Sequence, residues 1–163
     1  MACTVERILD VARGEIGVTE SPPGGNSVKY NTAYYGNPVN DPLYAWCTVF
    51  IWWLFKQAGA PEQFYGGRRT ASVPTLWDWY RRTGRFVESD YRPGDILFFN
   101  LDRPLQHIAI VESVNPDGTV TTIDGNTAMT AEHNGGAVLR RTRELKYAAG
   151  AGRPTYLVQK EKK

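Results

Sequence analysis

Apolar residues recur at helical spacing through the first half of the chain and at strand spacing through the second. Val5, Ile8, Leu9, Ala12 and Ile16 fall on one face of a helix predicted over residues 5–16. Thr4 is its N-cap candidate, Glu6 suits the first turn, and Gly17 ends it. A breaker-rich loop follows, Ser21-Pro22-Pro23-Gly24-Gly25-Asn26. Next come an aromatic stretch over 30–35 and a second loop over 36–42. Cys47, Phe50, Ile51, Leu54 and Ala58 form the apolar face of a second helix. It is predicted to start near Ala45 or Trp46 and to stop at Gly59, with Pro61 just beyond. A third helix is predicted over 73–83, with Ser72 as its cap, Pro74 in its first turn and Gly84 after its end.

From Phe86 onward the period becomes two. Residues 96–99, 107–114, 119–124, 137–143 and 155–160 are the predicted strands. The turn Arg92-Pro93-Gly94-Asp95 precedes the first, and Asn115-Pro116-Asp117-Gly118 joins the second to the third. Short connections imply a mostly antiparallel sheet of five to six strands. Helices early and strands late predict an α+β fold with the helices packed on that sheet. A chain of 163 residues without internal repeats suits a single domain over 1–163, its core over about 4–160.

Composition removes several classes. Hydrophobic residues make up 42% and charged residues 22%, an ordinary globular balance. No apolar run reaches the roughly 20 residues that span a bilayer, so no membrane partner is expected. The opening Met-Ala-Cys-Thr-Val-Glu-Arg lacks a signal peptide's basic region and apolar core, which predicts a protein made in the cytoplasm. The ending Gln159-Lys160-Glu161-Lys162-Lys163 reads as the start of a linker. A net charge of +2 is too small to predict a nucleic-acid partner. The basic clusters Arg68-Arg69, Arg81-Arg82 with Arg85, and Arg140-Arg141 with Arg143 read as solvated faces, ahead of attraction to an anionic polymer. Most of the tryptophans and tyrosines are assigned to the core. The chain is expected to be a monomer.

Two cysteines do not make a disulfide scaffold. Cys3 is placed in a mobile N-terminal tail, and no bridge to Cys47 is expected. Two distant histidines without close cysteine pairs predict no zinc site, and no cofactor is expected. Cys47 is the informative cysteine. In the first turn of a helix, unpaired backbone N–H groups and the helix dipole favour the thiolate. The same groups can receive the oxyanion of a tetrahedral intermediate. His133 lies in the loop 131–136 and reads as a surface residue, whereas His107 opens a strand whose edge can face the cysteine helix. If the following turn is symmetric, Val114 faces Thr119 and His107 faces Asn126, with Asp124 in diagonal reach. Either Asp124 or Asn126 can then hold the imidazole in its working tautomer. A type I turn with a glycine bulge would shift that pairing by one, and a second bulge near Gly125 would restore it. Asp124-Gly125-Asn126 can also be read simply as a turn.

The stretch Tyr44-Ala45-Trp46-Cys47-Thr48-Val49-Phe50-Ile51-Trp52-Trp53 resembles the nucleophile helix of the CHAP family of cysteine, histidine-dependent amidohydrolases/peptidases. Pro93-Gly94-Asp95 with Ile96–Phe99, the strand from His107 to Val114, and Thr122-Ile123-Asp124-Gly125-Asn126 resemble that family's further motifs, in the same order. The residues from Val138 to Pro154 are similar to its closing strands. Residues 12–17 with Glu20-Ser21-Pro22 are similar to openings seen in its phage endolysins, a group related to NlpC/P60 proteins. The resemblance implies a papain-like fold and hydrolysis of amide bonds in bacterial peptidoglycan after release from the producing cell. It implies Cys47 as nucleophile and His107 as base. The family more often carries Glu where this chain has Asp124, one methylene shorter, which keeps Asn126 as a rival orienting residue or an oxyanion helper. Some members bind calcium through an acidic loop. Here only Asn26, Asn31, Asn37, Asn40 and Asp41 are scattered before the cysteine, so no calcium is predicted. Two other readings of the chain are a non-catalytic wall-binding module and an amide hydrolase or transferase acting on a small molecule.

Overall fold

The computed structural model describes residues 2–127 and 135–158; His133 and the ending from Gln159 lie outside them. The helices are α1 (Val5–Gly14), α2 (Lys29–Tyr35), α3 (Cys47–Gln57) and α4 (Val73–Arg82). The strands are β1 (Phe86–Val87), β2 (Ile96–Phe99), β3 (His107–Val114), β4 (Val120–Thr127), β5 (Ala137–Arg143) and β6 (Ala148–Gly152). They form one sheet in the order β1-β6-β2-β3-β4-β5, with antiparallel neighbours throughout. The expected α+β architecture is the one the chain adopts.

Local chemistry explains most boundaries. Thr4 Oγ1 accepts the Arg7 N–H at 3.1 Å and Ser72 Oγ accepts that of Thr75 at 3.3 Å, so both predicted caps form. The helices cover one face of the sheet, where Leu9, Phe50, Leu54, Phe98, Ile108 and Ile123 belong to one core. Leu97, Phe99, Ala109, Val111 and Val120 form a smaller core on the other face. Burial on both sides is why β2 reads as an unbroken apolar run.

Several elements go beyond or depart from the sequence expectation, among them the short β1. The aromatic stretch over 30–35 lies in a helix, α2, although tyrosine, asparagine and threonine are weak helix formers. Tertiary contacts hold it. Tyr30 packs its ring on Trp46, Phe50 and Trp53, and Asn31 Nδ2 donates to the carbonyls of Asn26 and Tyr44. The strand expected over 155–160 is absent up to residue 158, where only an isolated bridge from Leu157 to Thr4 occurs. Its place in the sheet goes to the Gly/Ala-rich β6. A Cβ on Gly152 would stand 2.2 Å from the Tyr80 ring, and one on Gly150 would stand 2.2 Å from Phe86. Large rings cover that strand so closely that only small residues fit, which hides it from strand propensity.

The Pro-Gly-Asp motif is an anchor. Asp95 is buried, accepts the Arg92 N–H at 2.8 Å, and takes both Nε and Nη2 of Arg153 at 2.9 and 2.8 Å. This paired fork fastens the C-terminal segment to the sheet. Cys3 is not in a mobile tail. It is buried and free, and its carbonyl accepts the Leu157 N–H at 2.9 Å.

Gly125 sets the distance between α3 and the sheet. A Cβ there would lie 2.7 Å from Phe50 Cβ, an atom tied directly to the helix backbone. Gly125→Ala must therefore push α3 off β4. Overpacking of this kind costs about 1–3 kcal/mol. A thermal melt should show a fall in Tm of several degrees, and an unchanged Tm would refute the close approach.

Candidate active site

Cys47 is the first residue of α3, 8% exposed. The first helical hydrogen bond runs from the Phe50 N–H to the Trp46 carbonyl at 2.8 Å. The N–H groups of Cys47, Thr48 and Val49 thus have no acceptor within the helix, and no N-cap side chain serves them. The positive end of the helix dipole meets the sulfur. The approach to this tip is fixed from outside. Trp46 is fully buried and donates its indole N–H to Glu20 Oε1 at 2.9 Å. Glu20 also accepts the Gly24 N–H at 2.9 Å, and its own N–H donates to the Gly136 carbonyl. The loop before α2, the helix tip and the entry to β5 are joined at one buried residue, Glu20.

His107 opens β3 and is fully buried. It lies opposite Phe99, ring centroids 5.9 Å apart. The β3–β4 register decides its partner. Next to the turn, Val114 faces Val120 and Ser113 faces Thr121, one residue off the symmetric pairing. Beyond the bulge at Glu112, Val111 faces Thr122 and Ile110 faces Ile123, which restores it. The compensating irregularity thus sits in β3 rather than at Gly125. Glu112 is held there by Arg140 Nε at 2.7 Å and Arg13 Nε at 2.8 Å.

Asp124 makes the contact with the histidine. Its Oδ2 lies 2.7 Å from His107 Nε2, and both side chains are fully buried. Asp124-Gly125-Asn126 is strand, not turn. Asn126, with a left-handed φ of 58°, bonds to the chain that enters β5. Its carbonyl accepts the Gly135 N–H at 2.9 Å and its Oδ1 that of Gly136 at 3.3 Å. Of the two residues expected to compete for the imidazole, Asp124 is bonded to it.

The other ring nitrogen, Nδ1, is buried without a hydrogen bond of standard geometry. Burial pushes the imidazole down, but hydrogen bonds to Asp124 and Cys47 oppose it, as do their charges. The net result is a rise from 6.5 to about 9. Burial likewise pushes the Asp124 carboxyl up, and His107, Arg143 and Thr122 outweigh it and hold it below its ordinary range. Arg143 places Nη2 at 2.5 Å and Nε at 3.2 Å from Asp124 Oδ2, while the Thr122 hydroxyl donates to Oδ1.

Arg143, Thr122 and Glu20 were not legible as parts of this centre. The basic cluster near 140 was expected on a solvated face, and it splits instead. Arg140 pairs with Glu112 and Arg141 donates to Thr127, but Arg143 is only 5% exposed. A carboxylate buried as deeply as Asp124 needs an opposite charge, and β5 supplies it. Among the described residues, no three His, Cys, Asp or Glu side chains gather as a metal site requires.

Helices packed on an antiparallel sheet, with a helix-tip cysteine beside a strand-borne histidine, define the papain-like α+β class. Within that class the chain belongs to the CHAP family, whose domain profile matches residues 39–126, the span that holds Cys47, His107, Asp124 and Asn126. The crystal structure of Ly7917 is similar at a TM-score of 0.59 and 16% identity, over 93% of this chain and 62% of that one. The wild-type endolysin LysIME-EF1 is similar at 0.53 and 14%, over 94% and 65%. Ly7917 with the hydrolyzing product of MDP gives 0.53 and 17%, over 93% and 63%. At these identities the likeness is one of fold, and the chain spans less than two thirds of each of these proteins. No curated protein matches the sequence.

Proposed function

We propose that the protein is a peptidoglycan hydrolase that cleaves an amide bond of the bacterial cell wall through Cys47, His107 and Asp124. The observation that carries this reading is a fully buried imidazole bonded to Asp124 through Nε2, with Cys47 among the groups that raise it. Membership of the CHAP family supports the reaction class. The fold shared with an endolysin, and with Ly7917 crystallised with a hydrolysis product of MDP, supports the substrate.

In this mechanism Asp124 accepts the Nε2 proton and so directs Nδ1 toward the sulfur. The Cys47 thiolate attacks the amide carbonyl, and the oxyanion rests on the Cys47 backbone N–H at the helix tip. His107 delivers its proton to the leaving amine. The same imidazole then takes a proton from water, which attacks the thioester and releases the acid. The chain acts as one domain, reaching the wall after release from the cell that makes it. Among the described residues, no helix is long and apolar enough to cross a membrane.

Purified Gram-positive walls should lose turbidity when treated with the protein, and mass spectrometry of the fragments should reveal the bond. A free lactyl carboxyl with a new alanine amino terminus identifies a muramoyl-alanine amidase, and new termini within the peptide identify an endopeptidase. Binding to walls without any new terminus would replace hydrolysis with a wall-binding role.

A further inference from the structure

We propose that Arg143 is a positioning residue of the same centre, clamping Asp124 so that it stays charged and aligned while His107 gives up and regains its proton. This rests on the hydrolytic reading above.

The argument begins with burial. Asp124 is completely enclosed, and an enclosed carboxylate without a cation takes up a proton. His107 is a cation for only part of the cycle, because it must donate its proton to the leaving amine. At that moment Asp124 would be left as a buried anion beside a neutral ring. A proton on Oδ2 would then turn the acceptor into a donor and reverse the tautomer that directs Nδ1 at Cys47. Arg143 prevents this, because a guanidinium keeps its charge throughout. It reaches Oδ2 through two nitrogens at 2.5 and 3.2 Å, so it fixes position as well as charge.

The geometry also answers the length of the side chain. Aspartate is one methylene shorter than glutamate, yet Oδ2 stands 2.7 Å from Nε2. Thr122 on Oδ1 and Arg143 on Oδ2 hold the carboxylate plane in the orientation that makes this reach possible. Among the described residues, the surroundings offer no substitute. His107 comes from β3, Cys47 from α3 and Thr122 from β4 itself. The cleft of about 290 Å³ that Arg143 borders is lined by the acids Asp102 and Glu144, with Tyr147 and the Phe99 ring under the guanidinium at 5.3 Å. Arg143 is therefore the cation that faces Asp124 whatever the state of the imidazole.

Two variants test this, Arg143→Gln, which removes the charge, and Arg143→Lys, which keeps it and loses the fork. Each is assayed for clearance of purified Gram-positive walls and for the pH dependence of Cys47 alkylation by iodoacetamide, read on the Cys47 peptide by mass spectrometry. The Gln protein should clear walls about ten- to a hundredfold more slowly. Its alkylation curve should move up by about one pH unit, a tenfold lower rate on the acid limb. The Lys protein should keep the wild-type curve and lose only a few-fold in clearance. Wild-type clearance by the Gln protein overturns the proposal, and so does lost clearance with an unmoved alkylation curve, which marks a merely structural role. If the Gln protein does not fold, the Lys protein decides, and wild-type clearance by it removes the fork from the mechanism. A parallel Cys47→Ala protein separates the two levels. Its activity would refute the hydrolytic reading itself, whereas its inactivity beside an unaffected Arg143→Gln refutes only the role of Arg143.

Discussion

Cys47→Ala should abolish clearance of purified walls while leaving a folded protein. Loss of the nucleophile removes covalent catalysis outright, and in a comparable serine centre such a loss costs about 10⁶-fold in kcat. What remains is the oxyanion site at the helix tip and binding of the wall, too little to clear turbidity on the time scale of the wild type. The stability cost is small by comparison. The side chain is short, and the neighbours that position it, Trp46 and Phe50, are held by their own contacts with Glu20, Tyr30 and the backbone. Removing one sulfur from the edge of that packing falls in the ordinary range of about 1 kcal/mol. Circular dichroism and a thermal melt establish the fold, and turbidity measures the activity. Retained clearance by the folded variant would eliminate Cys47 as the nucleophile.

The parts of the site that could be read in the sequence are the local ones. A helix start can be recognised from a few residues, and it brings its dipole and unpaired N–H groups with it, so Cys47 could be placed before any tertiary contact was known. His107 could be placed because a strand start lies at a sheet edge. The partner of His107 depended on register. A symmetric turn gave the correct pairing at Ile110 and Ile123 although the turn itself is offset, because the bulge at Glu112 cancels the offset. That bulge is stabilised by Arg13 from α1 and Arg140 from β5, residues far apart in sequence, so nothing near Glu112 announces it. Arg143 was hidden for a similar reason. Arg140-Arg141-Thr142-Arg143 has the polarity of an exposed strand, and only the need of a distant buried carboxylate turns its last arginine inward. β6 failed differently. Its alanines and glycines carry no strand signal, and rings from Tyr80 and Phe86 set its composition.

Asp124→Asn should impair both stability and activity, and the two losses should differ in their dependence on pH. The substitution leaves Arg143 buried beside a neutral amide, and breaking a buried pair in this way costs about 3–5 kcal/mol. It also removes the main influence that raises His107, leaving Cys47 to oppose burial, so the imidazole falls from its position near 9. In the wild type the depressed Asp124 contributes stability above its ordinary 3.8, which is lost as pH falls through the folded value. The raised His107 contributes stability that is complete below 6.5 and is lost as pH climbs through about 9. The pair is therefore worth most between 3.8 and 6.5, and its worth declines toward 9. Denaturant melts at about pH 5 and about pH 9.5 should show a larger gap between wild type and Asp124→Asn at the lower pH, with a residual gap from Arg143 at the higher. Activity should fall by roughly 10²–10⁴, because an asparagine can present its amide N–H to the ring and favour the wrong tautomer. Asp124→Glu, which keeps the charge, should retain more activity than Asp124→Asn despite its extra methylene. Equal losses in the two proteins would show that shape at position 124, and not its charge, governs His107.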